Sequence, residues 1–208
     1  MCPLCLNQKS ELFDQDKQRR FLLCNSCDLV FVEREDLIPE DLEKKRYESH
    51  ENSEEDVGYR NYLSKIANSI KGHLSSSDDG LDFGCGKTKM LEELLTPRSV
   101  KSYDVYFHPV EELLSQKYNF IILSEVIEHL RSPRETMLFL NDCLKPQGQF
   151  FIKTKLRPES RDDFSKWFYK RDITHVQFFN ERSFQEFARM CDLKSPEKIG
   201  EDLFLFKK

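Results

Sequence analysis

Glycine is scarce in this chain, with 7 in 208 residues, and no apolar run approaches the roughly 18 residues of a membrane-spanning helix. The absence of such a run excludes a helical membrane protein, and no basic, apolar leader precedes Cys2, so neither a membrane partner nor a signal peptide is expected. Positive charge is not in excess: 32 Lys and Arg against 37 Asp and Glu leave a net charge of −5, which excludes a global basic field for recruiting nucleic acid. Tryptophan occurs once, at Trp167. The glycine scarcity makes each one informative, and Gly84 and Gly86 are separated by a single residue. Cysteine is the opposite case. Seven are present, four of them in two CxxC pairs, which suits metal binding in a reducing, cytoplasmic setting better than disulfides.

Those pairs are Cys2-Pro-Leu-Cys5 and Cys24-Asn-Ser-Cys27, with 18 residues between them. Each turn presents two thiolates to one ion, and four thiolates close a tetrahedral shell around zinc with no position open for chemistry. Residues 21–23 and 29–32 are short β-like runs, so residues 1–32 look like a zinc ribbon, too small to hold together without metal. Residues 33–74 form an acidic connector and a lead-in helix. Residues 33–56 hold 11 acidic and 4 basic side chains, and Tyr59, Tyr62, Leu63, Ile66 and Ile70 recur at helical spacing. Tyr47, His50 and Tyr59 are candidate lid residues or ordinary packing and surface residues.

Residues 75–208 alternate apolar strand runs with helical patterns, as an α/β domain does. An apolar run ends in Leu81-Asp82-Phe83-Gly84-Cys85-Gly86 and leads into a helix-patterned stretch, 88–95. Glycines there let the backbone approach a ligand, and the helix N-terminus behind them offers free N–H groups. Asp104 follows Asp82 by 22 positions, close to the roughly 20 expected of a carboxylate that grips ribose hydroxyls. Lys87 stands where a dinucleotide fingerprint has its third glycine, which argues against a dinucleotide.

Four blocks in order, LDFGCG, SYD, YNFIILSEVIEHL and LKPQGQFFIKT, resemble the class I S-adenosylmethionine (SAM) dependent methyltransferases and cover about half the chain. The resemblance implies a Rossmann-like sheet with helices on both faces, preceded here by the zinc ribbon. It also implies SAM held by Asp82, Gly84, Gly86, Asp104, Ser124 and Glu125. Only 13 residues separate Asp104 from the strand run at 118–123, where the family usually fits a helix and a strand, so no adenine-contacting residue is assigned. Ser132-Pro-Arg-Glu135 is expected to start a helix with a capping box, and Asn180 to cap the last one.

Ser124-Glu-Val-Ile-Glu-His129 follows the central strand. If helical, Glu125, Glu128 and His129 share a face, and with His175 they could bind a divalent ion, magnesium or manganese. Here the chain resembles the small-RNA 3′-terminal 2′-O-methyltransferases and the ubiquinone-biosynthesis O-methyltransferases. In the small-RNA enzymes this run plus a downstream histidine holds magnesium. His129 or His175 as a metal-free catalytic base is the alternative, and a structural role for the run is a third.

Residues 155–179 form a long stretch rich in aromatic side chains, read as a lid, a substrate wall or a local hydrophobic cluster. Residues 151–182 carry 8 basic and 5 acidic side chains, either an ordinary mixed surface or a basic rim for an anionic substrate. An Asn-Pro-Pro-Tyr type motif is absent after the central strand, which favours an oxygen or carbon acceptor over a base amine. The expected activity is methyl transfer from SAM to a small molecule or a terminal hydroxyl. RNA is a less favoured partner: the similar ribosomal-RNA guanine methyltransferases end their zinc site with a histidine, where Cys27 stands here. A non-catalytic SAM-binding adaptor, docking a partner through the ribbon, is the alternative from another class.

Overall fold

The computed structural model of the chain describes residues 1–49, 53 and 55–208. His50 among the candidate lid residues therefore lies outside the described residues. Strands β1 (Ser10–Gln15), β2 (Arg20–Cys24) and β3 (Val30–Val32) make an antiparallel meander, and helices α1 (Glu40–Glu48) and α2 (Val57–Lys71) follow. Then come β4 (Asp79–Phe83), α3 (Met90–Leu94), β5 (Ser99–Tyr103), β6 (Tyr118–Ser124), α4 (Pro133–Asp142) and β7 (Leu144–Lys153). The chain closes with α5 (Arg161–Lys166), β8 (Gln177–Phe178), α6 (Glu181–Met190), β9 (Glu197–Gly200) and β10 (Leu203–Lys207). Among the described residues no helix is long and apolar enough to cross a membrane.

The large sheet has the order β5-β4-β6-β7-β10-β9. Strands β5, β4, β6 and β7 run parallel, and β10 is antiparallel to both neighbours. Period-two alternation builds its two cores. Phe120, Ile122, Phe151, Leu203 and Leu205 face α2 and α3, where Leu63, Ile66, Ile70 and Leu91 cover them. Ile121, Leu123, Phe150, Ile152, Phe204 and Phe206 face the other way, onto Met137 and Leu140 of α4 and Phe184 and Phe187 of α6. This is the Rossmann-like α/β architecture expected. The interval after β5 holds an isolated Asp104–His108 bridge and a 3-10 turn at Glu111–Ser115 but no further strand of the large sheet, so β5 is its edge strand among the described residues.

The meander also pairs beyond itself. β3 pairs with β8, from the far end of the long 155–179 stretch, through Val30↔Phe178 and Phe31↔Gln177. One face of the small sheet continues the α4–α6 core through Leu4, Leu29 and Phe31. The other face packs Phe21, Val30 and Val32 against Phe164, Tyr169, Val176 and Phe178. The aromatic residues of the long stretch thus mostly form a third core, and a wall to the cavity only at its end.

Local expectations divide. Asn180 caps α6 in a reciprocal capping box with Ser183. Pro133 opens α4 as expected, but Ser132 makes no side-chain cap bond, because its backbone at φ −120°, ψ 66° turns away from cap geometry. The Ser124–His129 run is not a helix. Glu125 sits at φ 54°, in the left-handed region, and only Ile127–His129 form a 3-10 turn. The backbone N–H of Glu125 donates to Lys153 on β7 (2.8 Å), extending the β6–β7 ladder one residue beyond the strand before the chain breaks away.

Gly80 on β4 makes room for the buried Phe120 ring: a Cβ there would lie 2.2 Å from it. The ring is enclosed, so Gly80→Ala is expected to cost about 1–3 kcal/mol by overpacking. A lower urea midpoint at unchanged slope would show this. An unchanged midpoint would mean that the ring moves aside freely.

Candidate active site

The parallel strands end together, at Phe83, Tyr103, Ser124 and Lys153, and ligands of open α/β sheets bind at that edge where strand order reverses, here between β4 and β6. A cavity of about 550 Å³ opens there. Asp82, Gly84, Gly86, Asp104, Ser124, Glu125, His129 and His175 line it, as do Tyr47 and Tyr59. Those sequence-chosen residues therefore share one space, of a size that holds a nucleoside-like ligand.

Gly84 (φ 79°) and Gly86 (φ 69°) both take left-handed backbone. A Cβ on Gly84 would collide with Val126 at 2.6 Å, whereas a Cβ on Gly86 would meet nothing within 4 Å, so Gly86 faces open space. Asp104 locks the turn: its carboxylate accepts from Gly86 N (2.9 Å), Tyr106 N (2.8 Å) and Phe107 N (3.1 Å). Ser124 Oγ is buried and lacks a partner among the described residues, an orphan of the kind a ligand satisfies.

Beyond Ser124 the two glutamates divide. Tyr169 donates its single O–H toward Glu125 Oε2 (2.7 Å) and Glu128 Oε1. Glu125 also accepts from Tyr62 (2.9 Å) and pairs with the buried Lys153 ammonium (3.3 Å). Burial opposes its charge, but Tyr169, Lys153 and Tyr62 together outweigh it and hold the carboxyl below its usual range. Glu128 is fully buried with no cation beside it among the described residues, and burial, then the Glu125 charge, pushes it up to about 8. Its Oε2 has no hydrogen-bond partner among the described residues.

His129 Nδ1 lies 3.0 Å from the Thr174 carbonyl and His175 Nδ1 lies 2.7 Å from the Tyr169 carbonyl. A carbonyl only accepts, so each Nδ1 carries the proton and each Nε2 keeps its lone pair. Burial, then His175, lowers His129 to about 3, and burial also lowers His175, so both rings are neutral near pH 7. A carboxylate oxygen of Glu128 and ring nitrogens of His129 and His175 lie within 4.8 Å of one another. The structure thus gathers three of the four expected ion ligands and leaves Glu125 to Tyr62, Tyr169 and Lys153.

The four thiols at the N-terminal end also converge within 4.8 Å. Cys2 and Cys27 Sγ are 3.6 Å apart and Cys5 and Cys24 Sγ 3.5 Å, close to the tetrahedral edge of about 3.8 Å set by zinc–sulfur bonds of ~2.3 Å. The Cys2–Cys27 sulfur contact lowers Cys2 to about 5, while the same contact and burial raise Cys27. Several thiolates this close need a cation between them, so the donor set fits zinc.

Tyr62, Tyr169 and Lys153 were not among the sequence candidates. Lys153 was findable, since it ends the strand beside β6 and pairs in register with Ser124. Tyr62 was read only as part of the helical stripe of the lead-in helix, and it turns its hydroxyl to Glu125. Tyr169 carried no local signal, because its partners lie 41 and 44 residues away.

Residues 54–194 match the family model of a methyltransferase domain. No curated protein matches significantly. Among solved structures, the chain is similar to Burkholderia thailandensis 1,6-didemethyltoxoflavin-N1-methyltransferase, solved with 1,6-didemethyltoxoflavin and S-adenosylhomocysteine. The TM-score is 0.56 at 14% identity, covering 92% of this chain and 95% of that one. It is also similar to the N-methyltransferase NodS from Bradyrhizobium japonicum WM9, in complex with S-adenosylhomocysteine, at TM-score 0.51 and 12% identity, covering 80% and 95%. At these identities the likeness establishes the fold.

Asp82 generates a pH dependence. Burial, then the charges of Glu92 and Asp104, raises its carboxyl from 3.8 to about 7. Folding therefore favours its protonated form, so this contribution is fully present below pH 3.8 and is lost as pH rises through about 7. The unfolding free energy of the ligand-free protein should decline across that window relative to Asp82→Asn, measured by urea titrations at several pH values. Parallel curves for the two proteins would contradict it.

Proposed function

The chain belongs to the methyltransferase-domain family, and from that premise we propose that it transfers the methyl group of SAM to an oxygen of a small-molecule acceptor in the cytoplasm. The observation that carries this reading is that the Gly84–Gly86 turn, the orphaned Ser124 Oγ and the histidine face of the Glu128–His129–His175 cluster meet at one cavity. The division into a ribbon (1–32), a connector with lead-in helix (33–74) and a catalytic region (75–208) belongs to the same reading.

SAM supplies a methyl already activated by its sulfonium, so the chain has to align the acceptor and manage one proton. The Gly86 side of the turn gives SAM room, Asp104 keeps a lone pair on Oδ2 for a ribose hydroxyl, and Ser124 Oγ finds its partner there. Tyr59 and Tyr62 of α2 line the cavity, and Glu125 stays ionised beside Lys153. Glu128, His129 and His175 would hold a divalent cation, which would supply Lewis-acid lowering of an acceptor hydroxyl's pKa. Two imidazoles and one carboxylate suit manganese better than magnesium. Cys2, Cys5, Cys24 and Cys27 would hold zinc as a closed structural site. A second reading, His129 or His175 as metal-free base, is favoured by one fact: both Nε2 atoms are unprotonated.

Labelled methyl transfer from SAM to catechol and diol acceptors is expected to be inhibited by EDTA and restored by manganese. Glu128→Gln should lose both the activity and the manganese response. Activity indifferent to EDTA and retained in Glu128→Gln would remove the cation and leave histidine base catalysis. In calorimetry, Asp104→Ala should weaken SAM by ~1–3 kcal/mol, and unchanged affinity would refute the ribose role.

A further inference from the structure

One short segment, residues 169–176, organises the whole cluster. The Tyr169 hydroxyl donates toward Glu128, the Tyr169 carbonyl orients His175, the Thr174 carbonyl orients His129, and Val176 N donates to the Glu128 carbonyl at 2.8 Å. Within the segment a 3-10 turn at Phe168–Arg171 and a turn closed on Asp172 (His175 N to Asp172 O, 3.2 Å; Thr174 N to Asp172 Oδ1, 3.0 Å) set the local course, but neither anchors it to the rest of the fold.

Arg46 of α1 pairs with Asp172 at 3.1 Å, and the buried anchors come from the cysteine-bearing meander some 150 positions earlier. Arg19, 5% exposed, precedes β2 and reaches three of the segment's carbonyls: Nη1 donates to Asp172 O (3.0 Å) and His175 O (3.4 Å), and Nη2 to Lys170 O. Its own geometry is fixed by Asp16, which accepts from Nε at 3.2 Å and Nη2 at 3.0 Å, and by the Phe21 ring 5.0 Å beneath the guanidinium. Two further ties run in parallel. Lys170 pairs with Asp14 of β1, both buried, and Val32 N donates to Val176 O at 2.9 Å.

We propose that Arg19 is a positioning residue for the active site, through which the cysteine-bearing meander sets the ring orientation of His129 and His175. The planar guanidinium matters because its divergent N–H groups satisfy three carbonyls and a carboxylate at once. A lysine ammonium has no such fork. The catalytic consequence rests on the histidine roles proposed above, whereas the orientation itself does not.

The test uses the full chain, wild type and the variants Arg19→Gln and Arg19→Lys. Long-range ¹H–¹⁵N spectra of the imidazoles read tautomer and Nδ1-proton exchange directly, without turnover. Wild type should show slowly exchanging Nδ1 protons on both His129 and His175. In Arg19→Gln both should lose that protection while amides of β4 and β6 keep theirs, and Arg19→Lys should fall between. In the methyl-transfer assay kcat should drop roughly 10- to 100-fold with KM for SAM within about twofold of wild type. Unchanged ring signals in Arg19→Gln would overturn the proposal, as would equal loss of protection throughout the large sheet. If Arg19→Gln does not fold, Arg19→Lys decides by the same spectra. Should His175→Gln retain full turnover, the histidine chemistry fails, and the spectra still decide the brace.

Discussion

A single phenolic proton, on Tyr169, faces two carboxylates at the end of the central strand. It cannot satisfy both. Glu125 has the Lys153 ammonium and the Tyr62 hydroxyl to fall back on, so it takes the charge. Glu128 is sealed from water with one oxygen orphaned, and it either keeps a proton or receives a cation. The two neighbouring rings each have their Nδ1 proton tied to a carbonyl, which leaves both Nε2 atoms unprotonated.

That asymmetry begins in the backbone. β6 runs one residue past its strand because Lys153 of β7 still accepts from Glu125 N. The left-handed Glu125 then throws its side chain toward β7 and α2, while the following 3-10 turn buries Glu128 and brings His129 to the cavity. A regular helix would have stacked the three side chains on one face. The sheet edge supplies the cofactor turn, and the long 155–179 stretch supplies the opposite wall through His175.

Much of this was legible from local pattern. The alternation of β6, β7 and β10, the Asp82–Gly86 turn, the four-cysteine spacing and the Asn180 cap are all short-range signals, and the structure gathers their residues as expected. Strands β1 and β9 escaped because they carry mostly polar, exposed residues, with no apolar rhythm to read. β8 escaped because two residues become a strand only by pairing with β3, which lies about 145 positions earlier. The break at Glu125 escaped for the same kind of reason. Nothing within Ser124–His129 forbids a helix, and the tie to Lys153 that prevents it is tertiary.

The most direct measurement is a crystal structure with S-adenosylhomocysteine and manganese, read by anomalous scattering. S-adenosylhomocysteine on the Gly84–Gly86 turn and a manganese peak bonded to Glu128, His129 and His175, with Glu125 still on Lys153, is the expected result. A peak bonded to Glu125 instead, or the nucleoside bound anywhere but that turn, would contradict the assignment of the site.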